Sequence, residues 1–142
     1  MAYWLLKSEP DVFGWDQQVA NGVEPWTGVR NFQASANLKA MKKGDQAFFY
    51  HSNIGKEIVG VVKVVREAYP DPTDETGRWV CVDVQAGKPV KRPVTLAEIK
   101  ADPQFADFKL VRMSRLSVVP VSDEHWKALT KLGNRKPLDA AK

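Results

Sequence analysis

The residues best equipped for chemistry stand together in Pro25-Trp26-Thr27-Gly28-Val29-Arg30-Asn31. Trp26 lies in a loop between a proline and Thr27-Gly28, where neither helical nor strand periodicity asks for a large ring. An indole in such a place offers a flat face on which a heterocycle can stack. Arg30 adds a fork of N–H donors, and Asn31 adds an amide that both donates and accepts, as reading a base edge requires. Each has a plainer use, since Trp26 can fill core and Asn31 can cap the helix that follows it. Capping and ligand contact also coexist at a helix N-terminus. Of the other four tryptophans, Trp4 falls in a strand pattern and Trp15 and Trp126 on amphipathic helices, so these three read as core. Trp79 opens a strand on the face opposite Val80 and Val82, which makes it a second candidate for a functional surface.

Catalysis has little support in the chain. It contains no glycine-rich phosphate loop, no paired-histidine metal motif and no nucleophile elbow. The best constellation is His51 with Ser52 and a distant carboxylate such as Asp83, but neighbours on a strand point to opposite faces. Cys81 is alone, so no internal disulfide forms, and with only His51 and His125 beside it the usual structural zinc sets cannot be assembled. No metal is expected. A net charge of +4 and a pI near 9.2 favour a polyanionic partner such as nucleic acid, although the excess is mild.

The elements that must position these residues follow from size and periodicity. The 142 residues, 44% hydrophobic and 27% charged, suit one globular domain that folds without metal or disulfide support. The apolar start Met1 to Leu6 is too short for a signal core or a membrane span, and the lone cysteine fits reducing cytoplasm. No membrane partner is expected. Tyr3 to Lys7 predicts a first strand, Gly14 to Ala20 a short helix closed by Asn21-Gly22, and Asn31 to Lys43 a second helix. Gln46 to His51 and Ile58 to Glu67 read as a hairpin across the polar 52–56 loop.

Trp79 to Gln85 alternates as a strand, and Val90 to Val94 reads as a separate, short edge strand because Pro89 and Pro93 cannot donate to a ladder. Thr95-Leu96-Ala97-Glu98 is a capping box opening a small helix. Leu110 to Val121 predicts a last long strand, followed by a helix capped by Ser122 and ended near Gly133, with a frayed tail from about residue 134. Strands with interspersed short helices and no regular βαβ alternation indicate an α+β fold built on a mixed β-barrel.

Three stretches carry a resemblance: Tyr3-Trp4-Leu5-Leu6-Lys7-Ser8-Glu9-Pro10, Trp26-Thr27-Gly28-Val29-Arg30-Asn31-Phe32-Gln33-Ala34 and Phe48-Phe49-Tyr50-His51-Ser52. With Ile58-Val59-Gly60, Trp79 and Arg112-Met113-Ser114-Arg115-Leu116-Ser117, they closely resemble EVE domains over nearly the whole chain. That resemblance implies a PUA-like barrel flanked by short helices, related to the YTH readers of methylated adenine, with no cofactor. It implies a non-catalytic reader of a nucleic acid carrying a modified base, methylated or hydroxymethylated cytosine or methylated adenine, in DNA or RNA. The residues expected around the base are Lys7, Ser8, Trp26, Asn31, His51, Ser52 and Trp79, with Arg30, Arg112 and Arg115 on phosphates. Two other functions remain open, a general RNA-binding PUA-like domain and a small nucleotide-processing enzyme using His51. The expected location is the cytoplasm, or the nucleus in a eukaryote.

Overall fold

In the computed structural model, which describes residues 1–136, one mixed sheet of six strands runs through the molecule. The strands are β1 (Tyr3–Ser8), β2 (Val23–Pro25), β3 (Gln46–His51), β4 (Glu57–Pro70), β5 (Val80–Thr95) and β6 (Val118–Val121), in the order β2-β5-β4-β3-β1-β6. The helices are α1 (Trp15–Asn21), α2 (Phe32–Ala40), α3 (Leu96–Ala101), α4 (Lys109–Arg112) and α5 (Asp123–Gly133), with one 3-10 turn at Pro103–Phe105. The first strand pairs parallel with β3, Tyr3 opposite Gln46 through Ser8 opposite His51, and antiparallel with β6.

The α+β class holds, but the barrel does not close. Both edges are short and carry a proline, Pro25 in β2 and Pro120 in β6, so each lacks an N–H that a closing ladder would need. Asn37 of α2 donates its side-chain amide to the Val118 carbonyl at 2.7 Å, so a helix covers part of the β6 edge.

The short strand β2 is absent from the sequence reading, β4 runs three residues further, to Pro70, and two later stretches are organised differently. Residues 80–95 form one continuous strand, because β4 pairs along its whole length, from Pro70 opposite Val80 to Glu57 opposite Thr95. Beyond residue 86, no strand flanks its other side among the described residues, and the prolines are tolerated there.

The predicted strand over Leu110–Val121 is instead a helical turn, a loop and a four-residue strand. The β-branched Val111 suggested extension. The chain instead buries Phe105, Phe108 and Leu110 from a helical path, with the Arg112 and Met113 amides bonding the Phe108 and Lys109 carbonyls. The frayed-tail expectation falls largely on residues 137–142, outside the described residues. Arg135 itself bonds the Leu132 carbonyl and pairs with Glu98 at 2.7 Å.

Core formation follows the periodicities. Leu5, Leu6, Phe48, Phe49, Val62 and Leu38 are fully buried between the sheet and its helices. Trp126 of α5 stacks on Phe48 and Tyr3, with ring centroids 4.0 and 4.4 Å away, fixing the last helix to the sheet. Trp4 donates its indole N–H to the buried Asp45 at 3.1 Å. Thr95 and Glu98 form the capping box, and Asn31 and Ser122 cap α2 and α5 by accepting the Ala34 and His125 amides. Gly60 has no substitute, since a Cβ there would lie 2.5 Å from the Trp15 ring.

Candidate nucleic-acid interface

The loop α4–β6 decides where the site forms. As a strand, residues 112–117 would alternate between two faces; as a turn closed by the Leu116 amide on the Met113 carbonyl, they bring the Ser114 and Ser117 carbonyls to Lys7 near the end of β1. Lys7 holds this turn twice. Its main-chain N–H donates to the Ser117 carbonyl at 3.0 Å, and its ammonium reaches the Ser114 carbonyl at 2.9 Å. Burial lowers the Lys7 amine below its ordinary pKa.

A cavity of about 330 Å³ opens beside these contacts, lined by Lys7, Ser8, Phe13, Trp26, Arg30 and Ser117 together with the Gly28 backbone. Its size falls within the range of small-molecule sites. Trp26 forms a wall rather than a free flap at the rim. The residue is 8% exposed, and its ring meets Phe49 at 5.5 Å and 87° and Phe13 at 6.2 Å and 79°. Its main chain is fixed too, since the Trp26 amide bonds the Val82 carbonyl at 2.7 Å. A wall held at this many points stacks a ligand with little loss of side-chain freedom.

The loop that carries Trp26 is anchored by Asp71, whose side chain is fully buried. Gly28 donates its N–H to this carboxylate at 2.8 Å, and Arg30 bonds it at 3.1 Å. Thr73 adds its amide and hydroxyl at 2.7 and 2.6 Å. Burial alone would push the carboxyl up, yet the donors from Thr73, Gly28 and Arg30 more than offset it and hold the pKa at about 2. Gly28 needs its φ of +84° to present that N–H, a conformation most side chains resist. Asp71-Pro72-Thr73 is the sequence of an Asx turn, but nothing in the sequence says that its carboxylate reaches back to the Trp26 loop.

A second cavity, of about 380 Å³, adjoins the first along the same turn and is lined by Asn31, Gln33, Arg112, Met113, Arg115 and Leu116. No acidic side chain faces it, and neither arginine forms an ion pair among the described residues. The two exposed guanidiniums thus form an anion-accepting surface on the same turn whose Ser117 lines the Trp26 cavity.

The structure therefore brings together Lys7, Ser8 and Trp26, and places Asn31, Arg112 and Arg115 next door. Asn31 is the helix cap, with its side-chain oxygen on the Ala34 amide at 2.9 Å, and it lines the second cavity. Arg30 borders the first cavity, but three of its five N–H donors are taken by Val29, Asp71 and Thr73, so it braces the wall.

His51 and Ser52 line neither cavity and support from behind. The Ser52 amide bonds the Ser8 carbonyl at 2.9 Å, and His51 Nε2 accepts the Trp15 amide at 3.0 Å at the start of α1. That bond requires an unprotonated Nε2. Burial lowers the His51 pKa, partly opposed by Glu57 and Asp16. Asp83 receives the Tyr69 hydroxyl, so the His51, Ser52 and Asp83 constellation is not assembled. Trp79 stands apart from Trp26, its ring 5.0 Å from that of Phe32. Phe13 and Ser117 were not singled out from the sequence; Phe13 follows the Ser8-Glu9-Pro10 turn closely enough for its carbonyl to accept the Ser8 hydroxyl at 2.5 Å.

Residues 2–132 match the EVE domain family. The chain belongs to that family. Chicken thymocyte nuclear protein 1 is 38% identical over 95% of this chain and 70% of its own length. Among solved structures, Rpa0253 from Rhodopseudomonas palustris shares 60% identity with a TM-score of 0.89, covering 94% of this EVE domain and 93% of its own chain. Human THYN1 in complex with 5-methylcytosine-containing DNA shares 34% identity with a TM-score of 0.88, covering 96% of this chain and 100% of its own. The YTH domain of Zygosaccharomyces rouxii MRB1, solved with N6-methyladenosine RNA, is 14% identical with a TM-score of 0.57 over 95% of this chain and 88% of its own. At that identity the likeness concerns the fold of the EVE domain alone. Among the described residues, no helix is long and apolar enough to cross a membrane, and no group of three or more His, Cys, Asp or Glu could hold a metal ion.

Proposed function

We propose that residues 1–142 form one domain that acts as a non-catalytic reader, taking a modified base of a nucleic acid into the cavity walled by Trp26. The observation that carries this reading is the convergence of a braced indole, the Ser8 and Ser117 edges and a neighbouring pair of arginines around 330 Å³ of space. The complex of THYN1 with 5-methylcytosine-containing DNA, at 34% identity across the chain, supports methylated cytosine as the first candidate.

A stacked base cannot enter such a cavity, so it is extruded from a duplex or taken from a single strand, at a cost of a few kcal/mol. Stacking on Trp26 returns on the order of 1 to 3 kcal/mol, and hydrogen bonds at the Lys7-Ser8 edge fix the base plane. A methyl mark adds burial of about 0.8 kcal/mol, less than a factor of ten in affinity. Discrimination by that burial alone is therefore modest. Arg112 and Arg115 meet the phosphates, and Arg30, Asn31, His51 and Ser52 hold the walls. Such a partner is met in the cytoplasm, or in the nucleus of a eukaryote.

The test is titration of single-stranded DNA and RNA, with and without 5-methylcytosine, 5-hydroxymethylcytosine or N6-methyladenine, while following the indole N–H resonances. The reading predicts that one modified strand binds more tightly than its unmodified twin and shifts the Trp26 resonance. Equal binding by every RNA, with the Trp26 signal unmoved, favours a general RNA-binding domain. Mass spectrometry of the same mixtures reveals turnover if the protein is an enzyme.

A further inference from the structure

Phe32 is 72% exposed although it is the first residue of a helix whose buried face is Ala34, Ser35 and Leu38. It plays no part in that face. Its one aromatic contact is Trp79, with centroids 5.0 Å apart and planes inclined by 36°. Large apolar rings left in solvent and supported by a second ring are a feature of binding surfaces rather than of cores. Trp79 is itself fixed, its amide on the Asp74 carboxylate at 2.7 Å and its carbonyl accepting the Asp71 amide at 3.0 Å.

The surroundings say what this shelf would hold. Asn31 and Gln33, on either side of Phe32 in the chain, both line the second cavity with Arg112 and Arg115, and Arg30, two residues earlier, borders the first. Asp71 anchors both places, holding Gly28 and Arg30 through its side chain and Trp79 through its main chain. A base in the first cavity would thus have its phosphate beside unpaired guanidiniums and its neighbour within reach of an exposed aromatic face.

We propose that the Phe32–Trp79 shelf is a second stacking site, which takes the unmodified nucleobase next to the one held by Trp26. The inference rests on the reader function and names the part of the strand that function leaves unassigned. Stacking on aromatic rings is indifferent to base identity, so the shelf adds affinity and register without adding sequence preference.

The experiment titrates wild type, Phe32→Ala and Phe32→Tyr with two five-nucleotide DNA strands. Both carry a central 5-methylcytosine, and one has abasic residues at the flanking positions. The shelf predicts that Phe32→Ala weakens binding of the intact strand on the order of 10-fold. It also predicts that Phe32→Tyr restores the affinity and that neither variant changes binding of the strand lacking flanking bases. Equal affinity of wild type and Phe32→Ala for the intact strand overturns the inference. So does an equal loss on both strands, or a change of oligomeric state on light scattering, which would assign the patch to a second copy of the chain. The reader function fails separately, when the wild-type Trp26 indole resonance stays unmoved by the intact strand.

Discussion

Replacing Asp71 by Asn tests whether the cavity wall is built electrostatically. A carboxyl held at about 2 in the fold, against 3.8 ordinarily, stabilises the folded state by about 2 kcal/mol at neutral pH. The amide keeps the shape but loses the charge, and it presents an NH2 group where two acceptor oxygens now receive Gly28, Arg30 and Thr73. Because the folded carboxyl has the lower pKa, its contribution is complete above the unfolded value and fades as pH falls from about 4 towards 2. Asp71→Asn should therefore lose about 2 kcal/mol in urea unfolding at pH 7 with an unchanged denaturant slope, and the gap should narrow below pH 4. Binding of a methylated strand should weaken as well, since Gly28 and Arg30 lose their anchor. A loss under about 0.5 kcal/mol, or one that is the same at every pH, would refute the electrostatic account.

Three other outcomes follow from the same contacts. Gly60→Ala forces a Cβ against the Trp15 ring, which Phe49 meets at 5.4 Å; thermal denaturation should show a loss of about 1–3 kcal/mol. His51 accepts the Trp15 amide only when neutral and its folded pKa is lowered, so wild-type stability should fall as pH drops below about 6.5 and level off below the folded pKa. His51→Gln should flatten that part of the unfolding profile. Arg112→Ala and Arg115→Ala should each reduce the slope of log affinity against log salt by about one, with fold and unfolding midpoint unchanged, as measured by fluorescence anisotropy across a salt series.

Local chemistry was legible and long-range convergence was not. The Thr95–Glu98 capping box, the Asn31 and Ser122 caps and the β3–β4 hairpin each depend on residues a few positions apart, and each forms where the spacing says. The α4 turn was misread because Leu110-Val111 has strand composition, while the deciding partners, Phe105 and Phe108, act through helical i to i+3 spacing and burial. That error hid how Ser114 and Ser117 join the site. Only once residues 113–117 turn do Ser114 and Ser117 meet Lys7, more than a hundred positions earlier.

The sequence places Trp26 in a loop with a flat face open to stacking, and the structure holds it as a nearly covered wall beside Ser8, Ser117 and Arg30. Its loop position announced an unusual ring, but the rings that brace it, Phe13 and Phe49, come from two other segments. Asp71 signals only an Asx turn and Phe32 only a helix start, and neither announces its partners. A carboxylate in a turn and a phenylalanine at a helix start acquire meaning only from what the fold sets beside them.

The most direct test of the reader function is a crystal structure of this chain with a single-stranded DNA containing one 5-methylcytosine. The account predicts the methylated ring ordered face-on to the Trp26 indole, its edge on the Lys7-Ser8 main chain and its phosphates against Arg112 and Arg115. A bound strand with its methylated base outside that cavity, or ordered on Trp79 while Trp26 meets nothing, would contradict it.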